Sequence, residues 1–300
     1  MTITQFNRIV EIRTKIISMG TFTAGVLYAA ANEGVFSLER FLLMAAAVLF
    51  VDMGTTGFNS YFDFIHGTDT KEYNLERDKV LVHDGVEART ALLISLTLFG
   101  LAGVIGIILA YMTSFYLLVA GAVSMAVGFL YTGGPLPISR TPLGELFAGG
   151  FLGSVLFIIT YYVLSLKLRS ELFIASIPFL LLIALILTVN NTCDIKADKA
   201  AGRKTLSILI TKRRAVPLMR TMIITSYLTV ALFSLTGIYP VFTLGWAIPA
   251  FLFSMKVFNQ MEKQGFSLET KGVSMGGVSK IYLVFVASFS LGMATYLLLR

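Results

Sequence analysis

Charge and cysteine are what this sequence has least of. Of its 300 residues only 14% are Asp, Glu, Lys or Arg, and 56% are hydrophobic. A soluble globular chain carries about 25% charged residues, so an ordinary water-soluble fold is excluded. The single cysteine, Cys193, excludes an intramolecular disulfide framework. Low-complexity tracts and sequence repeats are absent, and no polar stretch is long enough for a large soluble domain. The net charge of +7 is not a nucleic-acid footprint. The basic residues sit in short loops between apolar segments, where they set membrane orientation.

Filling the chain instead is a series of apolar runs, each near the roughly 20 residues that a helix needs to cross a bilayer. The spacing predicts an all-α integral membrane bundle of nine transmembrane helices over 12–32, 41–62, 90–111, 115–132, 147–166, 172–193, 217–239, 241–258 and 278–299. The whole chain, 1–300, reads as one domain. The breaks at Met112 to Ser114 and at Tyr239-Pro240 must be tight turns, because a helix running through either would greatly exceed the bilayer thickness. The first run follows Arg13 and Lys15 and continues as a full span without a small-residue cleavage site, so it reads as retained. With the N-terminus cytoplasmic, 20 of the 24 Lys and Arg fall on cytoplasmic segments. Only Arg40, Lys167, Arg169 and Arg300 fall outside, an asymmetry that favours this orientation.

Two polar clusters lie just after spans on the cytoplasmic side. In the first, Asn59 and Asp63 are four apart and share a helix face, with Asp52 close to the same face. Gly67 is expected to break that helix and let Asp69 return toward Asp63. In the second, Asn190, Asp194 and Asp198 are spaced four apart, Asn191 borders them, and Gly202 is expected to end the helix before Arg203 and Lys204. Oxygen-only ligands on two stripes suit Mg²⁺, which is commonly held by a few carboxylates together with substrate phosphate oxygens. Neighbouring Lys and Arg suit the rest of an anionic group. A diphosphate bridged by Mg²⁺ beneath an apolar bundle fits this pattern, and a prenyl diphosphate supplies both the charge and the apolar tail.

These clusters resemble the paired aspartate motifs of the UbiA superfamily of intramembrane aromatic prenyltransferases. Within it the nearest branch is that of the 1,4-dihydroxy-2-naphthoate polyprenyltransferases of the menaquinone pathway. The first motif is carried by Asn59, Ser60, Asp63, Gly67 and Asp69. The second is carried by Asn190, Asn191, Cys193, Asp194, Asp198, Gly202, Arg203, Thr205 and Leu206. Tyr131 to Pro137 with Leu143-Gly144-Glu145 resembles a third segment. The resemblance implies that Asp63, Asp69, Asp194 and Asp198 hold Mg²⁺ and are the catalytic acids. It implies that Asn59, Asn190, Asn191, Lys71, Arg140, Arg203, Lys204 and Tyr131 bind a polyprenyl diphosphate and an aromatic acceptor. It also implies a multi-pass protein of the bacterial cell membrane with its active-site mouth on the cytoplasmic side. The sequence departs from the branch at Ser60, where Asp is usual, at Cys193, where Arg is usual, and at Lys196, where an acid is common.

Other readings stay open at this point. The acceptor is 1,4-dihydroxy-2-naphthoate or another ring such as 4-hydroxybenzoate, homogentisate or haem. A secondary transporter would also place ionisable residues within helices, but near the bilayer midplane rather than at one membrane face. Asp52 either lines the cavity or pairs with a neighbouring helix. Lys212, Arg213 and Arg214 read as orientation signals, while Arg77 is a weaker diphosphate candidate than Arg203. His66 and His83 are ordinary loop histidines before they are ligands, and Cys193 is a buried thiol. Tyr61, with Tyr131, is placed near the pocket. Gly149, Gly150 and Gly153 read as close helix packing.

Overall fold

The computed structural model describes residues 1–69 and 79–300, and all regular structure among them is helical. The principal helices are α1 (Lys15–Glu33), α2 (Leu38–Ile65), α3 (Ala88–Met112), α4 (Tyr116–Leu130), α5 (Gly144–Ser165), α6 (Glu171–Cys193), α7 (Leu206–Leu235), α8 (Phe242–Gln264) and α9 (Lys271–Leu299). Each segment read as a span lies on one of these. By length and composition six of them, α2, α3, α5, α6, α7 and α9, are able to cross a membrane, and α4 is apolar but shorter. Their outward faces agree with that. Leu93, Leu96, Leu101, Val104 and Ile107 of α3 are all exposed. So continuous an apolar surface is stable against lipid tails and not against water.

The chain divides into two compact units. The first comprises Met1–Met19, Leu42–Gly144 and Lys196–Thr205. Its core gathers Ile9, Val10, Met53, Val80, Leu81, Ala91 and Leu98. The α2 helix approaches α3 closely because Gly54 and Gly57 have no side chains. A Cβ at Gly57 would stand 2.2 Å from Ser95 Oγ, and one at Gly54 would stand 2.5 Å from the Phe99 ring. The N-terminal helix Ile3–Ile9 is tied to α2 by polar side chains: Thr56 donates to the Val10 carbonyl at 2.8 Å and Ser60 to the Ile9 carbonyl at 3.2 Å. An ionised Asp at position 60 could not donate there, so Ser60 has a structural role.

The second unit comprises Gly20–Phe41, Glu145–Ile195 and Leu206–Arg300. Here α6 is central and packs on α5, α7 and α9. Phe179 is fully buried and stacks on Phe157 while meeting the edges of Phe285 and Phe289. The α5 helix widens to a π-helix over Gly149–Val155, where it crosses α6. Cβ atoms at Gly149 and Gly153 would lie 2.4 and 2.6 Å from Leu180 backbone, whereas one at Gly150 would meet open space. Close packing therefore explains two of the three glycines. The α7 helix is broken at Thr211, whose φ of 66° is unusual for a β-branched residue.

Candidate active site

The two aspartate motifs end in the same backbone device. After Asp63, Gly67 takes φ +68°, its N–H bonds the Phe64 carbonyl at 3.2 Å, and the Thr68 N–H bonds the Asp63 carbonyl at 2.9 Å. After Asp198, Gly202 takes φ +71°, its N–H bonds the Lys199 carbonyl at 3.1 Å, and the Arg203 N–H bonds the Asp198 carbonyl at 2.8 Å. Both are Schellman caps, which favour glycine because the left-handed residue carries no Cβ penalty. Asp63 and Asp198 hold the same place in the last turn before each cap. The Asp69 N–H also reaches the Asp63 carbonyl at 3.0 Å, so the chain does fold back as the sequence suggested. Helix C-termini carry partial negative charge, so a carboxylate there calls for a cation.

Arg203 is that cation. Its Nη2 donates to Asp63 Oδ1 at 2.7 Å and its Nη1 to Asp198 Oδ1 at 3.2 Å. One guanidinium thus joins a residue of the first motif to a residue of the second, within the first compact unit. The side chains of Asp198, Arg203 and Asp63 are only 4%, 12% and 19% exposed, so water screens these pairs weakly. Burial disfavours the charged guanidinium, but the Asp63 and Asp198 carboxylates outweigh it, with Tyr131 acting the same way. The Arg203 pKa lies above its ordinary value. Arg140 fixes the backbone on which Arg203 stands. Its guanidinium donates to the Ala201 carbonyl, and its own carbonyl accepts from the Lys204 N–H at 2.9 Å. One nitrogen of the Arg140 guanidinium is therefore engaged by the backbone that carries Arg203.

Each of the other two predicted metal ligands also has a basic partner. Asp69 lies 3.6 Å from Lys79, which also binds Glu11. In the second unit Asp194 pairs with Lys271 at 2.9 Å. Among the described residues, no three His, Cys, Asp or Glu side chains assemble as a metal-binding group. Each of the four acids thus has a basic partner, which limits the repulsion that bare carboxylates would suffer. The expected Asn190–Asp194–Asp198 stripe is corrected. The α6 helix stops at Cys193, Asp194 caps it with φ −92° and ψ 7°, and a separate helix, Ile195–Ala200, carries Asp198.

The remaining predicted residues have defined surroundings, except Lys71, which with Arg77 lies outside the described residues. Asn59 Oδ1 accepts from Thr132 Oγ1 at 2.6 Å, beside Tyr131. Asn191 is buried and donates to Glu145 Oε1 at 2.8 Å, Asn190 is half-buried, and Lys204 is exposed. Asp52 pairs with a neighbouring helix: Lys15 Nζ reaches its Oδ1 at 2.7 Å and Ser18 its Oδ2 at 2.5 Å. His66 stacks on Phe62. Sequence reasoning missed Lys271, Lys79 and Glu145 as site candidates. Glu145, only 2% exposed, had one readable signal, an acid at the start of an apolar span. Lys271 had none, since its partner lies 77 positions away.

Asp63 and Asp198 do fit Mg²⁺ chemically. They are hard oxygen donors that converge on one cation, and Mg²⁺ commonly takes only one or two carboxylates, with phosphate oxygens and water completing its shell.

The sequence profile of the UbiA prenyltransferase family matches residues 18–265. The chain is 38% identical over 200 residues to the 1,4-dihydroxy-2-naphthoate octaprenyltransferase of Bacillus subtilis (strain 168), a match covering 67% of this chain and 64% of that protein. It is 29% identical to the enzyme of the same name from Mycobacterium tuberculosis, covering 65% and 66%. The match thus spans slightly less than two thirds of each relative's length. A UbiA homolog from Archaeoglobus fulgidus bound to GPP and Mg²⁺ superposes with a TM-score of 0.68 at 13% identity, covering 97% of this chain and 99% of the other. At that identity the likeness is one of fold.

Proposed function

The chain belongs to the UbiA prenyltransferase family, and on that premise we propose that it transfers a polyprenyl group from polyprenyl diphosphate to an aromatic quinone precursor. The preferred acceptor is 1,4-dihydroxy-2-naphthoate, giving demethylmenaquinone in its reduced form. The observation that carries the reading is the Arg203 bridge, which brings Asp63 and Asp198 from two distant motifs to one charged centre. The naphthoate acceptor rests on the two relatives that bear that name.

In this reading Asp63 and Asp198 hold Mg²⁺, with Asp69 and Asp194 as the further acids of their motifs. The metal would neutralise charge growing on the departing diphosphate. Arg203 and Lys204 hold the remaining phosphate oxygens, with Lys71 and Arg140 as further cations of the same role, and Arg140 also holds the loop that carries Arg203 and Lys204. Asn59, Asn190, Asn191 and Tyr131 are assigned to substrate binding by their motifs. The allylic C–O bond breaks and its electron pair leaves with the diphosphate. The electron-rich ring then attacks the allylic cation, which aromatic faces stabilise. With the naphthoate, the ring carboxylate departs as carbon dioxide and its bonding pair restores the aromatic ring. No covalent enzyme intermediate is needed.

The whole chain acts as one prenyltransferase domain, crossing the bacterial cell membrane nine times from a cytoplasmic N-terminus. The Lys and Arg asymmetry supports that topology. The test is mass spectrometry of products from purified protein given dihydroxynaphthoate, 4-hydroxybenzoate, homogentisate or haem with a range of prenyl diphosphates and Mg²⁺. Prenylated naphthoate product is expected. Product from another acceptor alone would move the assignment to that ring, and no product from any would remove it.

A further inference from the structure

We propose that Arg203 makes metal and diphosphate binding interdependent: it keeps the Asp63–Asp198 pair closed to a bare divalent cation and releases it when a diphosphate takes the guanidinium. The inference rests on the metal-and-diphosphate reading of the site and adds a positioning role for one residue.

Two carboxylates and one guanidinium leave the trio at −1 in surroundings that largely exclude water. A divalent cation is attracted there, but one oxygen of each carboxylate, Oδ1, already accepts from Arg203, and a cation placed beside them meets the positive charge of the guanidinium. For the cation alone to bridge the two Oδ1 atoms, the guanidinium must leave both partners and remain unpaired where it is 12% exposed. Breaking a buried pair without replacement is costly. A diphosphate changes the balance, because its oxygens match the planar fork of Arg. Arg203 also holds a donor in reserve: its Nε is buried and makes no hydrogen bond among the described residues.

The backbone restricts how this exchange occurs. The Arg203 N–H is fixed to the Asp198 carbonyl, while Arg140 holds Ala201 on one side and Lys204 on the other. The exchange is therefore a movement of the Arg203 side chain on a held loop. Coupling between two ligands is reciprocal, so it can be read from either one.

The test uses the full chain in detergent, with Mn²⁺ followed by electron paramagnetic resonance. Farnesyl thiolodiphosphate, which resists ionisation, is the diphosphate probe, and Mn²⁺ bound to free probe is subtracted. In the unaltered protein the probe should tighten Mn²⁺ binding by roughly tenfold or more. In Arg203→Gln, Mn²⁺ alone should bind more tightly than in the unaltered protein, and the tightening by the probe should fall to about threefold or less, well below the usual range for coupled sites. The second effect separates this account from simple removal of a positive charge, which would strengthen Mn²⁺ binding and leave the coupling intact. Arg203→Lys keeps the charge but loses the fork, and should show reduced coupling; it stands in if the Gln variant fails to fold. Undiminished coupling in the folded Arg203 variants would overturn this inference alone. An unaltered protein that binds no Mn²⁺ with or without the probe would overturn the functional reading as well.

Discussion

Two charged clusters, one in each compact unit, are built with opposite arithmetic. In the first, one cation, Arg203, serves two acids, Asp63 and Asp198. In the second, one acid, Glu33, serves two cations, Lys167 at 2.6 Å and Arg169 at 2.7 Å, and accepts from the Tyr161 hydroxyl at 2.7 Å. The surplus charge is therefore negative in one and positive in the other. Exposure sets the consequence of each surplus. Lys167 and Arg169 are 61% and 49% exposed, so water solvates the positive charge and nothing further is required. Around Arg203 little water is available, so a surplus negative charge there favours a further cation. Nearly the same residue types thus make a fastening in one unit and a candidate metal site in the other.

Mutation can break this contrast. The largest effect is expected from Asp198→Asn, which removes one of the two oxygen ligands from the proposed metal. Prenyl transfer should fall by roughly a hundredfold or more, as for loss of one charge-stabilising group in a preorganised site. The readout is initial rate by product chromatography, with the thermal transition as a folding control. Second is Lys15→Met, which leaves Asp52 without its cation in a pair whose side chains are only 4% and 12% exposed. Stability should drop by about 3–5 kcal/mol. The double change Lys15→Met with Asp52→Asn should recover most of it, measured by denaturation in detergent. The smallest effect is expected from Glu33→Gln. Its partners are well solvated, so the loss should be about 1 kcal/mol or less, with prenyl transfer unaffected. This last loss should depend on pH. Lys167 and then Tyr161 hold the Glu33 carboxyl below its ordinary pKa. The stabilisation is therefore complete above the ordinary glutamate value and disappears as pH falls through the lower folded one. In acid the Gln variant and the unaltered protein should converge.

Helix positions were legible because span length and apolarity are local properties, and the loop-back after Asp63 was legible because Gly67 marks it. Pairings across long separations were not. The Asn190–Asp194–Asp198 spacing looked like one stripe, but α6 ends at Cys193 and Asp198 stands on another helix. Arg140 reads as a ligand for phosphate because it is basic and near the motifs. Its engagement with the Ala201 carbonyl depends on a meeting 61 residues apart that no local pattern encodes. Lys271 counts in the sequence only as one of the twenty cytoplasmic basic residues, for the same reason. Acid spacing alone also could not show that each of the four aspartates would be met by a cation. Ser60 was visible as a departure from the family pattern, and its bond to the Ile9 carbonyl supplied the physical reason.

The central claim is that Asp63 and Asp198 form the metal-dependent half of a diphosphate site. Its most direct test is binding of a non-reacting prenyl diphosphate to the purified full chain, with Mg²⁺ present or chelated, in the unaltered protein and in the Asp63→Asn/Asp198→Asn double variant. Tight binding that needs Mg²⁺ and is lost in the double variant is the predicted result. Binding that ignores Mg²⁺ and survives both substitutions would contradict the account.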